Sequence, residues 1–348
     1  MKSICCINCF GNHPSIDDDE YTKNDNQQQT FSWDLKQSNP ENYIVRNLQN
    51  EFVHKKGGDI DGQQFVIENC HNCTIVENDF SGSVTIDDSQ DCVIIIGPCK
   101  GSVFIRDCQR CQIFLACQQF RTRDCNDLSI FILCPTQPII EQSTRIRFSP
   151  LSINYDGLEN QLNLSGLSPF KNKWNKVHDF TPAERGTNFG IKEEYDYSGF
   201  GDKLIQINKN TGISFEISDS YFPTVTMNGN ESKISLILTQ NKNDNLFDFY
   251  QKAFKTLKAI ESPQPKLSNI IDMNISKGEL KVLPSKYVKF KDMVGQLLLF
   301  ELLNISIKDI EEKIGKPEKS NNFYIFNGSE YIPFIKHLYQ LADIKSNI

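Results

Sequence analysis

The chain has 348 residues, a formal net charge of −7 and a pI near 5.4, with 39% hydrophobic and 23% charged residues. That length accommodates two domains of ordinary size, and the acidic balance argues against nucleic acid as a partner, which calls for a basic face. No apolar run reaches the roughly 20 residues of a membrane-spanning helix; the longest, 297–303, is interrupted by Glu301.

The opening Met1-Lys2-Ser3-Ile4-Cys5-Cys6 lacks the apolar stretch of a secretory signal, which places the chain on the cytosolic side. Its twelve cysteines are then reduced thiols rather than a disulfide framework, and their spacing needs another explanation. Residues 1–30 are polar and of low complexity, with Asp17-Asp18-Asp19-Glu20 and Asn24-Asp25-Asn26-Gln27-Gln28-Gln29. They read as a mobile tail. Order is expected from Phe31-Ser32-Trp33-Asp34.

From Gly62 the sequence repeats. Gln63-Gln64-Phe65-Val66-Ile67 returns as Ser83-Val84-Thr85-Ile86, as Ser102-Val103-Phe104-Ile105 and as Gln118-Gln119-Phe120-Arg121-Thr122. Cys73, Cys92, Cys111 and Leu128 recur with it, at steps of 19, 19 and 17 residues. A fixed short period marks a solenoid. Short β-branched strands between polar corners, with no helical period, make each repeat one coil of a right-handed parallel β-helix over residues 31–187.

In that register Phe65, Val84, Val103 and Phe120 stack inward, as do Ile67, Ile86, Ile105 and Thr122. The residues between them, Val66, Thr85, Phe104 and Arg121, point outward. The cysteines become small inward hydrophobes. If Ile140 stacks on Phe120, Glu141 falls beside Arg121 one strand spacing away, about 4.8 Å.

After Pro150 the repeat ends, 151–187 wraps against the coil, and 188–230 is a linker. Residues 231–348 alternate strands (Lys233–Thr239, 270–275, 297–303) with helices (245–260, Ile307–Ile314, 332–341). That order suggests an α/β unit of ferredoxin-like, nucleoside-diphosphate-kinase-like type.

Cys117-Gln118-Gln119-Phe120-Arg121 resembles the core motif of the tubulin-cofactor-C-like β-helix domain. Gly97-Pro98-Cys99-Lys100-Gly101-Ser102, Thr136-Gln137-Pro138-Ile139-Ile140-Glu141 and His178-Asp179-Phe180-Thr181-Pro182 are similar to its retinitis pigmentosa 2 branch, over about 31–185. The resemblance implies activation of an Arf-like small GTPase in its GTP state, in membrane or ciliary protein trafficking. Tubulin, or a GTPase bound without acceleration, is the other partner reading.

It places the activating arginine at Arg121, with Gln118 as a second catalytic residue, its glutamines Gln118 and Gln119 contacting the nucleotide or helping to place the attacking water, the arginine's acidic partner at Glu141 and the nucleotide-side glycine-serine at Gly101-Ser102, with Phe120 among the contacting residues. The chain itself then needs no cofactor and is not an enzyme, since GTP and Mg are held by the partner. Branch members commonly carry an acylated Gly-Cys start. Lys2 here rules out N-myristoylation, but palmitoylation of Cys5 and Cys6, with Cys9 behind them, would anchor the tail at the cytoplasmic face of the cell membrane or the ciliary base.

A planar guanidinium supplied in trans stabilises charge on the γ-phosphate oxygens. Against this, Arg121 and Glu141 read blandly as an exposed ion pair of little worth, and the glutamines as corner caps, a role also open to Gln63-Gln64. Cys70-x-x-Cys73 with Cys108-x-x-Cys111 has the spacing of a zinc site, but inward packing explains it without a metal. His337 sits beside Phe334 and Leu338, where a core or solvent-facing role outweighs phosphate transfer. No P-loop is present.

Overall fold

A computed structural model describes residues 39–184, 186–193, 197, 200–226, 233–260, 266–281, 290, 293–317, 322–327 and 331–346. The tail, with Cys5, Cys6, Cys9 and Phe31-Ser32-Trp33-Asp34, lies outside these residues.

The first half is a parallel β-helix. One face stacks Ile44–Arg46, Gln64–Glu68, Ser83–Asp87, the ends of Val93–Arg106 and Gln112–Arg123, Ile139–Glu141 and His178–Asp179, all parallel. A second face stacks Phe52–Lys55, Thr74–Glu77, the starts of the two long strands, Ser129–Leu133, Ile146–Pro150 and Phe189–Ile191. The expected columns hold: Phe65 pairs with Val84, Val84 with Val103 and Val103 with Phe120, all fully buried. Val66, Thr85, Phe104 and Arg121 pair in turn on the outer side.

The polar corners have a backbone cause. Asn69, Asp88, Asp107 and Asp124 all take left-handed φ, between 49 and 55°, and Asn72, Asp91, Arg110 and Asp127 repeat this three residues on. Asn and Asp tolerate that region better than other side chains, and Cys70, Ser89, Cys108 or Cys125 lies between each pair, buried. The nine described cysteines are free and buried. Their thiols donate to nearby carbonyls, as Cys92 does to Gln90 at 3.1 Å and Cys108 to Arg106 at 3.1 Å. Burial pushes the Cys70 thiol up to about 11.

Two expectations change. Ile140 pairs with Thr122 rather than stacking on Phe120, and Ile139 faces Arg121. The shift is two residues, which preserves which side chains face in, so a period of two could not detect it. The stretch 188–230 is not a linker: Phe189–Ile191 adds a strand to the coil, and Gly201–Thr211 is a helix with Leu204 and Ile207 buried. That helix and Leu158–Ser165 cover the outer side of the second face, burying Val93, Ile95, Phe114 and Phe131. Strands buried on both sides read as unbroken apolar runs, which is why Val93-Ile94-Ile95-Ile96 shows no alternation.

The C-terminal unit is a four-stranded antiparallel sheet in the order Lys266–Ile275, Gly295–Leu303, Lys233–Thr239, Phe323–Phe326. The last strand was not anticipated. Helices Leu246–Ile260 and Ile307–Ile314 cover one face, and Ile332–Ser346 covers the other. His337 lies on this third helix, half-buried, and its Nε2 has no hydrogen-bond partner among the described residues.

Candidate functional site

Arg121 sits near the end of the strand Gln112–Arg123, between Phe120 and Thr122, which are both buried in the coil. Alternation therefore fixes its side chain outward, and 48% of that side chain is exposed. The guanidinium forms an ion pair with Glu141. Because Glu141 is opposite Arg123 in register, this contact runs diagonally across the two strands, a reach that long side chains manage on a sheet face. Arg123 turns to Asp124 at 3.2 Å.

Beneath Arg121 lies the Phe104 ring, its centroid 5.7 Å from the Arg121 guanidinium carbon and 5.3 Å from that of Arg106. Arg106 is held in turn by Asp87. The stacked cation–ring contact narrows the rotamers open to Arg121.

An open cleft of about 550 Å³ lies beside this arginine, lined by Ser102, Phe104, Gln119, Arg121, Thr136 and Lys173 among others. The Ser102 hydroxyl donates to Gln119 Oε1 at 3.1 Å, joining two residues that the sequence placed at the site. Phe120 reaches the cleft only from the core side: its ring is buried, edge-on to Phe148 at 5.8 Å.

Gly101 has a structural reason to be glycine. A Cβ there would stand 2.5 Å from the Gly82 carbonyl oxygen, and Gly82 is as close to Gly62.

Gln118 and Gln119 part company. Between Cys99 and Ser102 the chain has two residues, while between the paired Cys117 and Gln119 it has one. Gln118 turns the shorter corner and lines a separate cleft of about 400 Å³ with Lys171, Asp272, Gln296 and Lys345, and its carbonyl accepts the Thr136 hydroxyl at 2.9 Å. The structure thus brings Ser102, Gln119, Arg121 and Glu141 together and leaves Gln118 beside the C-terminal unit.

Several neighbours escaped the sequence reading as site residues. Ile139 and His178 continue the outward row after Arg121. Phe180 is 57% exposed, its ring edge-on to His178 at 4.6 Å. The signal was present in the alternation, but it required knowing that 178–179 adds a strand to this face. Among the described residues no cluster of three or more His, Cys, Asp or Glu is placed to hold a metal ion.

A family model described as Tubulin binding cofactor C matches residues 62–180. Protein XRP2 of Danio rerio is 47% identical over 174 residues, 49% of this chain and 46% of its own length. Tubulin-specific chaperone C of Bos taurus is 34% identical over 134 residues, 38% of this chain and 39% of its own. Among solved structures, Tubulin Binding Cofactor C from Leishmania major has a TM-score of 0.32 at 19% identity, covering 44% of this chain and 89% of that one. The matched part spans less than half the length of these curated relatives.

Proposed function

We propose that the chain is a GTPase-activating protein that supplies Arg121 in trans to GTP on an Arf-like small GTPase, a reading supported by the match of residues 62–180 to the Tubulin binding cofactor C family model and by the similarity to Protein XRP2. The observation that carries this is an arginine held within a strand, outward, exposed and beside an open cleft. In the complex the guanidinium leaves Glu141 and meets the γ-phosphate oxygens, where a fork of fixed donors stabilises the charge of the transition state. Ser102 and Gln119 contact the nucleotide side, Gly101 lets the coil approach closely, and Gln118 supports the corner. The partner holds GTP and Mg; this chain completes its active site.

Single-turnover GTP hydrolysis by Arf-like GTPases, with wild type and Arg121→Ala, tests the reading. A finger of this kind is worth about 10³–10⁵ in rate, roughly 4–7 kcal/mol of barrier, so Arg121→Ala should lose at least about 10³-fold. An unchanged rate with every accelerated partner refutes it. Identity to Tubulin-specific chaperone C keeps tubulin as a second partner, which the same assay on tubulin resolves. A purely binding role would show as altered affinity with no acceleration by wild type.

A further inference from the structure

The segment that follows the coil carries two aromatic residues, four positions apart, that end in different cores. Phe170 is buried in the core of the C-terminal unit, its ring edge-on to Phe300 and tilted against Tyr250, both at 5.6 Å. Trp174 is buried in the core of the coil. Four residues span at most about 14 Å, so this strap pins the two cores to each other at close quarters.

Between the two aromatics, Asn172 holds three backbone groups. Its Oδ1 accepts from the N–H groups of Cys134 at 2.9 Å and Trp174 at 3.0 Å, and its Nδ2 donates to the Ile132 carbonyl at 2.9 Å. The Lys173 N–H closes the same turn on the Cys134 carbonyl at 2.7 Å. Cys134 opens the corner 134–138, which belongs to no strand, so single bonds such as these set its course. Farther along, the Thr136 hydroxyl donates to the Gln118 carbonyl at 2.9 Å, and Thr136 and Gln137 line the Arg121 cleft. The corner then runs into Ile139–Glu141, the strand whose Glu141 pairs with Arg121. One corner thus joins the strap, the residue three before the arginine and the arginine's acidic partner.

We propose that Asn172 is a positioning residue for the Arg121 site. It holds the corner 134–138, and with it Glu141 and one lip of the cleft, while Phe170 makes the C-terminal unit the anchor of that clamp. The proposal rests on the GTPase-activating reading and gives the C-terminal unit a part in it. An amide side chain accepts and donates at once, and without it the N–H of the buried Cys134 loses its acceptor. Asn172 does not line the cleft, so its effect falls on how well the site is shaped for the transition state rather than on affinity.

The test uses the full chain and an Arf-like GTPase whose hydrolysis the wild type accelerates. Asn172→Ala removes the clamp, and Asn172→Asp keeps the acceptor for Cys134 and Trp174. Asn172→Ala should lower the saturated rate about 10-fold with the half-saturating concentration within about twofold, and Asn172→Asp should stay within about threefold of wild type in rate. Phe170→Ala, which loosens the far end of the strap, should lower the saturated rate about 3–10-fold. Amide exchange at 134–141 should quicken at least about tenfold in Asn172→Ala and in Phe170→Ala, a measurement that needs no GTPase. Gln161→Ala is the control, because that buried amide joins Asn78 and Tyr155 rather than the corner. It should lower the melting temperature while the saturated rate and the exchange at 134–141 match wild type.

A wild-type saturated rate in Asn172→Ala, a loss confined to the half-saturating concentration, an Asn172→Asp variant as impaired as Asn172→Ala, or unchanged exchange at 134–141 in Phe170→Ala overturns the assignment. Should Asn172→Ala fail to fold, Phe170→Ala decides by the same rate and exchange criteria. Each of these results can occur while Arg121→Ala still abolishes acceleration, so failure here is distinct from failure of the parent reading.

Discussion

Gly101 sits next to Ser102 at the site, and replacing it by alanine separates a packing role from a nucleotide contact. The added Cβ would lie 2.5 Å from the Gly82 carbonyl oxygen, so the coils must part by several tenths of an ångström. The obstacle is backbone, and Gly82 has no slack to retreat because its own Cβ direction is closed by the Gly62 carbonyl at 2.5 Å. Overpacking of this kind costs about 1–3 kcal/mol, and backbone on both sides puts Gly101→Ala at the upper end, about 2–3 kcal/mol. At about 2–4 °C per kcal/mol for a domain of this size, the melting temperature should fall by about 5–10 °C. Gly57→Ala, where nothing lies within 4 Å, is the control and should be neutral or slightly stabilising through the unfolded chain. The measurement is thermal unfolding with urea midpoints. If Gly101→Ala melts with wild type while activation drops, close approach of the coils is not the reason for this glycine and the packing argument is wrong.

Glu279 supplies a pH dependence. The Lys345 ammonium, then the Ser276 N–H and hydroxyl, lower its carboxyl to about 2. The folded value is below the unfolded one, so its stabilisation is present above about pH 4.5 and fades as pH falls toward about 2. Glu279→Gln should cost about 0.5–1 kcal/mol at pH 7 by urea unfolding, and a cost that persists undiminished at pH 3 contradicts this. For the tail, we propose acylation of Cys5 and Cys6, on which Cys5→Ser with Cys6→Ser should move the chain from the membrane pellet to the supernatant in cells; the same distribution in wild type and the double variant removes acyl anchoring.

Much of the β-helix was legible because two independent periods agreed. Side chains alternating every second residue gave the inward stack of Phe65, Val84, Val103 and Phe120, and the 17–19-residue repeat aligned the strands. The outward placement of Arg121 was legible for the same reason, the residue being flanked by two members of inward columns. What failed had no local signature. The register of Ile139–Glu141 depends on how many residues the Cys134–Pro138 corner takes up, which alternation cannot count. Phe189–Ile191 is three residues long and becomes a strand only because the open end of the coil accepts it. Gln118 and Gln119 are adjacent and identical in type, and only the one-residue shortening of their corner sends them to different clefts.

The energies at Arg121 set the division of labour between its contacts. An exposed ion pair is worth about 0–1 kcal/mol, whereas stabilisation of a phosphoryl transition state by the guanidinium, in the role proposed for Arg121, would be worth roughly 4–7 kcal/mol. Glu141 therefore holds the arginine in the free protein without holding it back, and the Phe104 ring limits where it can swing. The strand adds what a loop would not: Phe120 and Thr122 are locked in the coil, so the backbone beneath the arginine is already in place and little ordering is left to be done on docking. A lysine at 121 would keep the charge, and so the pairing with Glu141, yet it would lose the two-pronged donation to the equatorial oxygens on which the proposed role rests. On the proposed reading the chemistry depends on the shape of the cation, and the coil's contribution is to fix where that shape stands.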